Sequence, residues 1–161
     1  MLVPFSELSP TSKVWIYQAN RTFTTDELVD ISRKLDAFIT QWSAHGEGLK
    51  AGYDIQYGRF ITIAVDNEHH SASGCSIDAS VKIIKELEQE YDVSLLDKMN
   101  VSFKNGEFVA YKSLVDFKKM VKNKSVSAKT IVFNNLVTNK AEYLSNWEVP
   151  MSESWYNRFL N

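Results

Sequence analysis

Apolar residues recur along this chain with two periods, and each switch between them predicts an element. From Lys13 to Gln18 the pattern alternates, with Val14 and Ile16 on one side of a strand and Trp15 and Tyr17 on the other. From Thr24 the period lengthens. Leu28, Ile31, Leu35, Phe38, Ile39 and Trp42 recur every three or four residues and form one helical stripe. Thr24-Thr-Asp-Glu27 opens that helix with a capping-box pattern, and His45-Gly46 marks its expected end. Tyr53, Ile55 and Tyr57 then alternate, as do Ile61, Ile63 and Val65, so 52–65 reads as a hairpin turning at Tyr57-Gly58-Arg59. A polar loop, Asp66 to Ser76, leads to a second helix with Ile77, Val81, Ile84, Leu87 and Tyr91 on its buried side. Val101–Lys104 and Glu107–Tyr111 flank Asn105-Gly106, a pair suited to a type I′ turn. A short helix from Ser113 buries Leu114, Phe117, Met120 and Val121, and Thr130–Phe133 reads as a further strand.

Through residue 104 the order is β-α-β-β-α-β, with Met99–Lys104 as the fourth strand. That is the split-βαβ, ferredoxin-like arrangement, an antiparallel sheet with both helices on one face. The expected protein is therefore α+β: a ferredoxin-like domain over 1–104 and a C-terminal α/β extension over 105–161. The extension comprises the hairpin, short helix, strand and aromatic tail, packed on the first domain. The open sheet face would carry Trp15 and Tyr17. The tail holds Tyr143, Trp147, Trp155, Tyr156 and Phe159. A segment so aromatic is expected to lie against the body, on the Trp15 and Tyr17 face.

Composition narrows the class. The chain has 161 residues, 44% hydrophobic and 24% charged, within the range of a soluble globular protein. Its net charge of −2 sets up no global field for a nucleic acid or an acidic substrate. Lys112, Lys118, Lys119, Lys122, Lys124 and Lys129 give the third helix a basic bias, which reads as a solvated face, so no nucleic-acid partner is expected. The single cysteine allows no internal disulfide and fits a reducing compartment. The first residues lack the basic and apolar regions of a signal peptide, and no apolar run approaches the ~20 residues of a membrane span. A cytoplasmic protein is expected.

The loop between the fourth predicted element and the second helix gathers the candidate chemistry. Cys75 falls in the first turn of the helix, where free N–H groups and the helix dipole favour a thiolate. His69 or His70 could serve as its base, with Asp66 orienting the imidazole. The alternative is a cysteine that packs beneath the helix start. Ser71, Ser73, Gly74 and Ser76 precede the same N-terminus and suit an anion cradle, or equally a plain helix cap. Asp66, Glu68, His69, His70 and Cys75 offer metal-ligating atoms without a second strong ligand pair, so no metal is expected, and no cofactor either.

Several stretches resemble a known family over nearly the whole chain. Trp15-Ile-Tyr-Gln18, Trp42-x-x-His45-Gly46, Ser73-Gly-Cys-Ser-Ile-Asp78, Phe133-Asn-Asn-Leu-Val137 and Asn146-Trp-Glu-Val-Pro150 look like a family of small bacterial proteins of unknown function. Members often carry the automatic label "ABC transporter ATPase". This sequence does not support an ATPase. The pattern G-x-x-x-x-G-K-[ST] is absent, and Gly46-Glu-Gly-Leu-Lys-Ala51 has the wrong spacing and no hydroxyl after its lysine. The resemblance implies a cytoplasmic location and no established activity, and it carries over no catalytic residue. Asn105-Gly106, Leu114, Phe117, Ile131-Val-Phe133 and Trp147 are also spaced like small GYF-type modules, which would imply peptide binding through aromatics; the defining Gly-Tyr-Phe is absent.

Two functions follow as expectations. The first is a binding module for a small molecule or protein, using an aromatic sheet face and the residues Trp15, Tyr17, Trp42, His45, Ser73, Gly74, Ser76 and Asp78. The second is a thiol-dependent enzyme with Cys75 as nucleophile and His69 or His70 as base. A homodimer burying the aromatic face is a third reading.

Overall fold

Strand β1 (Lys13–Gln18), helix α1 (Thr25–Gln41), a small hairpin of β2 (Ser43–Ala44) and β3 (Glu47–Gly48), strands β4 (Ala51–Gln56) and β5 (Phe60–Val65), and helix α2 (Gly74–Tyr91) follow one another in a computed structural model that describes all 161 residues. The chain divides into two units. One holds Met1–Leu96 and Thr138–Tyr143; the other holds Asp97–Val137 and Leu144–Asn161. The protein is α+β, and no helix is long and apolar enough to cross a membrane.

In the first unit β5 lies between β1 and β4, antiparallel to both. Directly opposed residues share a face of a sheet. Trp15 pairs with Ile63, Tyr17 with Ile61, and Tyr53 with Ile63. That face packs beneath Ile31, Leu35 and Ile39 of α1 and Ile84 and Leu87 of α2. The aromatic face is therefore covered by the helices, and the opposite face is buried too, at Val14, Phe60, Thr62 and Ala64. Tyr17 is only 5% exposed, and Trp15 packs against the same core. The open aromatic face expected from the alternation does not form, because the register with Ile61 and Ile63 sets Trp15 and Tyr17 beneath the helices. The opposite face carries Asp54, whose Oδ2 accepts a hydrogen bond from the Tyr143 hydroxyl at 2.9 Å. The start of the aromatic tail thus reaches the other side from Trp15 and Tyr17.

Two local expectations shift. Helix α1 stops at Gln41, with Trp42 as its extended C-cap. His45 and Gly46 (φ 52° and 81°) form the two-residue loop joining β2 to β3. Two left-handed residues in a row match a type I′ turn, so the glycine serves a hairpin and not the helix end. The β4–β5 loop, by contrast, is Tyr57-Gly58-Arg59 as the pattern predicts, with positive φ at Tyr57 and Gly58. In α2 the buried stripe runs through Ser76, Ser80, Ile84 and Leu87, while Ile77, Val81 and Tyr91 are half-buried.

The capping box of α1 forms. The Thr24 side chain accepts from the Glu27 N–H at 3.1 Å, and Glu27 accepts from the Thr24 N–H at 2.8 Å. Arg21 adds a bidentate fork to the same carboxylate at 2.8 and 2.9 Å. The guanidinium, with the Thr24 N–H next, lowers the Glu27 pKa from an ordinary 4.5 to about 2. The folded state therefore holds the ionised form more strongly than the unfolded chain does. Its stabilisation is complete above pH 4.5 and is lost as the pH falls towards about 2. Melting temperature measured across that window should decline less steeply in Glu27→Gln than in the unaltered protein. Parallel curves would refute the linkage.

Beyond α2 the chain forms the second unit from β6 (Val101–Asn105), β7 (Phe108–Lys112), α3 (Leu114–Lys122), β8 (Ile131–Phe133) and β9 (Glu148–Pro150); in chain order α4 (Lys140–Asn146) lies between the last two strands, and its residues through Tyr143 belong to the first unit. The sheet order is β7-β6-β8-β9. The expected fourth strand of the first sheet, Met99–Lys104, falls here. Val101–Asn105 pairs with Phe108–Lys112 across a two-residue loop. Closing so short a loop costs less chain entropy than returning to β1. The edge of β1 meets Asn139 and Thr138 instead, the Val14 N–H donating to the Thr138 carbonyl at 3.0 Å. So the ferredoxin-like order is not completed. The β6–β7 loop is Gly106-Glu107 with a left-handed φ at Gly106 alone (64°), the type II′ requirement, so Asn105 belongs to the strand.

The core of the second unit contains Val101, Phe103, Phe117, Val132, Val149 and Met151, with Tyr156 and Phe159 packed against it. In the first unit, the opening turn of α4 docks on the N-terminal arm. Lys140 Nζ donates to the carbonyls of Phe5, Ser6 and Leu8 at 3.0, 3.2 and 2.7 Å.

Candidate functional site

The α2 N-terminus is built by the loop that sequence patterning singled out. Ser73 caps the helix. Its side chain accepts from the Ser76 N–H at 3.1 Å, and the Ser76 side chain accepts from the Ser73 N–H at 2.7 Å. Behind them, Trp42 donates its indole N–H to the Ser76 carbonyl at 2.8 Å. Burial raises the Tyr17 hydroxyl above its ordinary pKa, partly countered by a hydrogen bond with Ser80. Of the two inward serines, Ser80 meets the polar tip of Tyr17 with its side chain, while Ser76 meets Trp42 with its backbone carbonyl and spends its hydroxyl on Ser73. Apolar periodicity alone could not reveal this seam; its signal was the spacing of Ser73, Ser76 and Ser80.

Of the expected ligand set, Trp42, Ser73 and Ser76 meet one another, with Ser76 and Trp42 buried. Tyr17 joins the seam through Ser80. Gly74 and Asp78 are exposed on α2, and His45 is exposed at the tip of the β2–β3 hairpin. Trp15 is half-buried against the core.

Cys75, the second residue of α2, is exposed. The packed-cysteine reading therefore fails, since the first helical turn points this side chain outward. The His69 and His70 rings meet edge to face at 4.8 Å, and both backbone N–H groups donate to the Asp66 carbonyl. His70 Nε2 lies 3.8 Å from Glu47. Neither imidazole hydrogen-bonds to the sulfur. Asp66 is buried and accepts from Ser9 Oγ and from the Glu68 N–H at 3.2 and 3.0 Å, so it fixes the loop and not an imidazole. No group of three His, Cys, Asp or Glu side chains is arranged to hold a metal ion. Native protein should therefore be alkylated at Cys75 by iodoacetamide, with the rate unchanged in a His69→Ala/His70→Ala double variant. A drop in rate would restore the thiol–imidazole pair.

The second unit presents a different surface. Along α3, Val115, Lys118, Lys119 and Lys122 are spaced i, i+3, i+4 and i+7 and are all exposed. Lys118 Nζ sits 4.8 Å from the centre of the Phe159 ring. Phe159 meets Trp155 at 5.3 Å, and the Arg158 guanidinium lies 4.2 Å over the Trp155 ring. Trp155 and Phe159 come from a 3-10 turn, Trp155–Phe159, held by the Ser154 hydroxyl accepting from the Tyr156 N–H at 3.1 Å. Tyr156 anchors that turn on Phe117, their rings 5.4 Å apart. None of Lys118, Lys119, Lys122 and Arg158 pairs with a carboxylate. Sequence patterning located the lysines and the aromatic tail separately; their meeting on one surface is a tertiary result.

Among protein-family models, curated proteins and solved structures, none matches this chain. The arrangement of its own side chains is thus what any functional reading rests on. Charge is unevenly shared between the two units. The first has nine Lys and Arg against fifteen Asp and Glu, a net −6; the second has nine against five, a net +4.

Proposed function

We propose that this protein is an interaction module that binds a polyanionic partner through the α3 and Trp155–Phe159 surface of its second unit. One observation carries the reading. Lys118, Lys119 and Lys122 are exposed along α3, Lys118 and Arg158 lie over the touching Phe159 and Trp155 rings, and none of the four cations pairs with a carboxylate. Unpaired cations gathered on one face are an electrostatic footprint for a negatively charged partner, whatever the net charge of the whole chain. This moves the binding role away from the Trp15 and Tyr17 strand face, which lies beneath helices. A thiol-dependent enzyme finds less support, because Cys75 has no base within hydrogen-bonding reach.

Heparin chromatography of the full chain at neutral pH tests the reading. A protein of net charge −2 should be retained at low salt only if its cations are gathered, and Lys119→Gln/Lys122→Gln should elute earlier. Flow-through of the unaltered protein at low salt would overturn the proposal.

A further inference from the structure

We infer that the polyanion taken by this surface is a single-stranded nucleic acid, bound without regard to sequence; the inference rests on the binding role proposed above for the same residues. Lys118 to Lys122 covers one turn of α3, about 6 Å at 1.5 Å per residue. Three ammonium groups thus stand within a short line. Lysine is a compact, rotatable point charge that meets phosphate without demanding a fixed geometry. The line ends on planar groups. Phe159 lies under Lys118, Trp155 stands against Phe159, and the Arg158 guanidinium covers Trp155. Trp155 keeps 40% of its surface exposed.

A line of cations that runs into aromatic and guanidinium planes has both parts a single strand uses, since phosphates take the charge and unstacked bases take the planes. A duplex would keep its bases stacked and leave the planes unused. An acidic peptide would use the lysines alone. An anionic bilayer would need more apolar area than Val115, Trp155 and the part-buried Phe159 present on a nine-residue helix and a 3-10 turn. Asp116 is the one carboxylate on α3; it sits in the first turn, three residues before Lys119, and forms no ion pair with the lysines.

Fluorescence anisotropy of the full chain with labelled oligonucleotides of about twelve bases, single- and double-stranded, decides the matter as salt is raised. Single strands should bind more tightly than the duplex. The slope of log K against log salt should be about −2 to −3, from three or four phosphates at about 0.7 each. Trp155→Ala should weaken binding about tenfold with the slope unchanged, and Trp155→Phe should recover most of that loss. Lys119→Gln/Lys122→Gln, at exposed positions remote from the core, should make the slope shallower by about 1.4. Equal affinity for duplex and single strand with no effect of Trp155 would overturn the inference. So would binding to phosphatidylserine vesicles or to polyglutamate without binding to the oligonucleotide. If heparin retention persists in those cases, the binding surface stands and only its partner class is wrong; if retention is also absent, both readings fall.

Discussion

Trp42→Ala should destabilise the first unit by about 4 kcal/mol, within the 3–5 kcal/mol range for removing a buried tryptophan. Trp42 is buried in the core beneath α1 and α2, and its ring lies 5.2 Å from Phe38. Alanine would leave a void that neither helix can close, since α2 is held at its start by its own cap and α1 by the Trp42 C-cap geometry. It would also remove the indole donor from the Ser76 carbonyl. Trp42→Phe separates the two effects. It keeps most of the ring volume and loses the hydrogen bond, for a cost of about 1 kcal/mol. Urea unfolding followed by far-ultraviolet circular dichroism measures both. A Trp42→Ala cost below about 1 kcal/mol would mean that the seam between α1 and α2 collapses freely, contrary to the packing described.

Lys140→Ala should cost about 3 kcal/mol, and Lys140→Met about 2 kcal/mol, because methionine replaces the packed stem but not the donors. Lys140 is 7% exposed and faces no carboxylate. Three main-chain carbonyls of the N-terminal arm surround its ammonium, and the Phe5 ring lies 5.2 Å from it. The carbonyl dipoles take the place of water around the charge. With the lysine gone, those oxygens lose a charged donor and the arm loses its tie to α4. Amide exchange gives the local readout. The N–H groups of Leu8, Lys140 and Ala141, which donate to the Phe5, Ser12 and Pro10 carbonyls, should exchange faster in both variants. Unchanged protection would show that the arm is held by its β4 contacts, Leu2 beside Ala51 and the Val3 N–H on the Ala51 carbonyl, without help from the lysine.

The sheet of the second unit and the first unit's helices illustrate what a linear pattern can and cannot carry. Capping, periodicity and turn chemistry are local, acting over a few residues, so they were legible. The Thr24–Glu27 box, the α1 stripe of Ile31, Leu35 and Ile39, the Tyr57-Gly58 hairpin and the helix start at Ser73 all form. Alternation in β1 correctly separated Trp15 and Tyr17 from Val14 and Ile16. It did not say which pair would meet the helices, because the period of a strand is the same for both faces. That choice came from the register with Ile61 and Ile63. Likewise a strand at 101–105 was evident, but its sheet was not; a short loop drew it to β7, and Asn139 met the edge of β1.

The same division holds for the candidate sites. The sequence by itself determined that Cys75 would stand at a helix start, that lysines would crowd α3 and that the tail would be aromatic. Only the tertiary structure decided that Cys75 has no imidazole on its sulfur, that Lys140 is enclosed by carbonyls more than a hundred residues away in the chain, and that Lys118 and Arg158 share one aromatic surface. Those outcomes depend on the distance between side chains far apart in sequence. Such distances are set by packing, for which residue identity and spacing provide the components but not the arrangement.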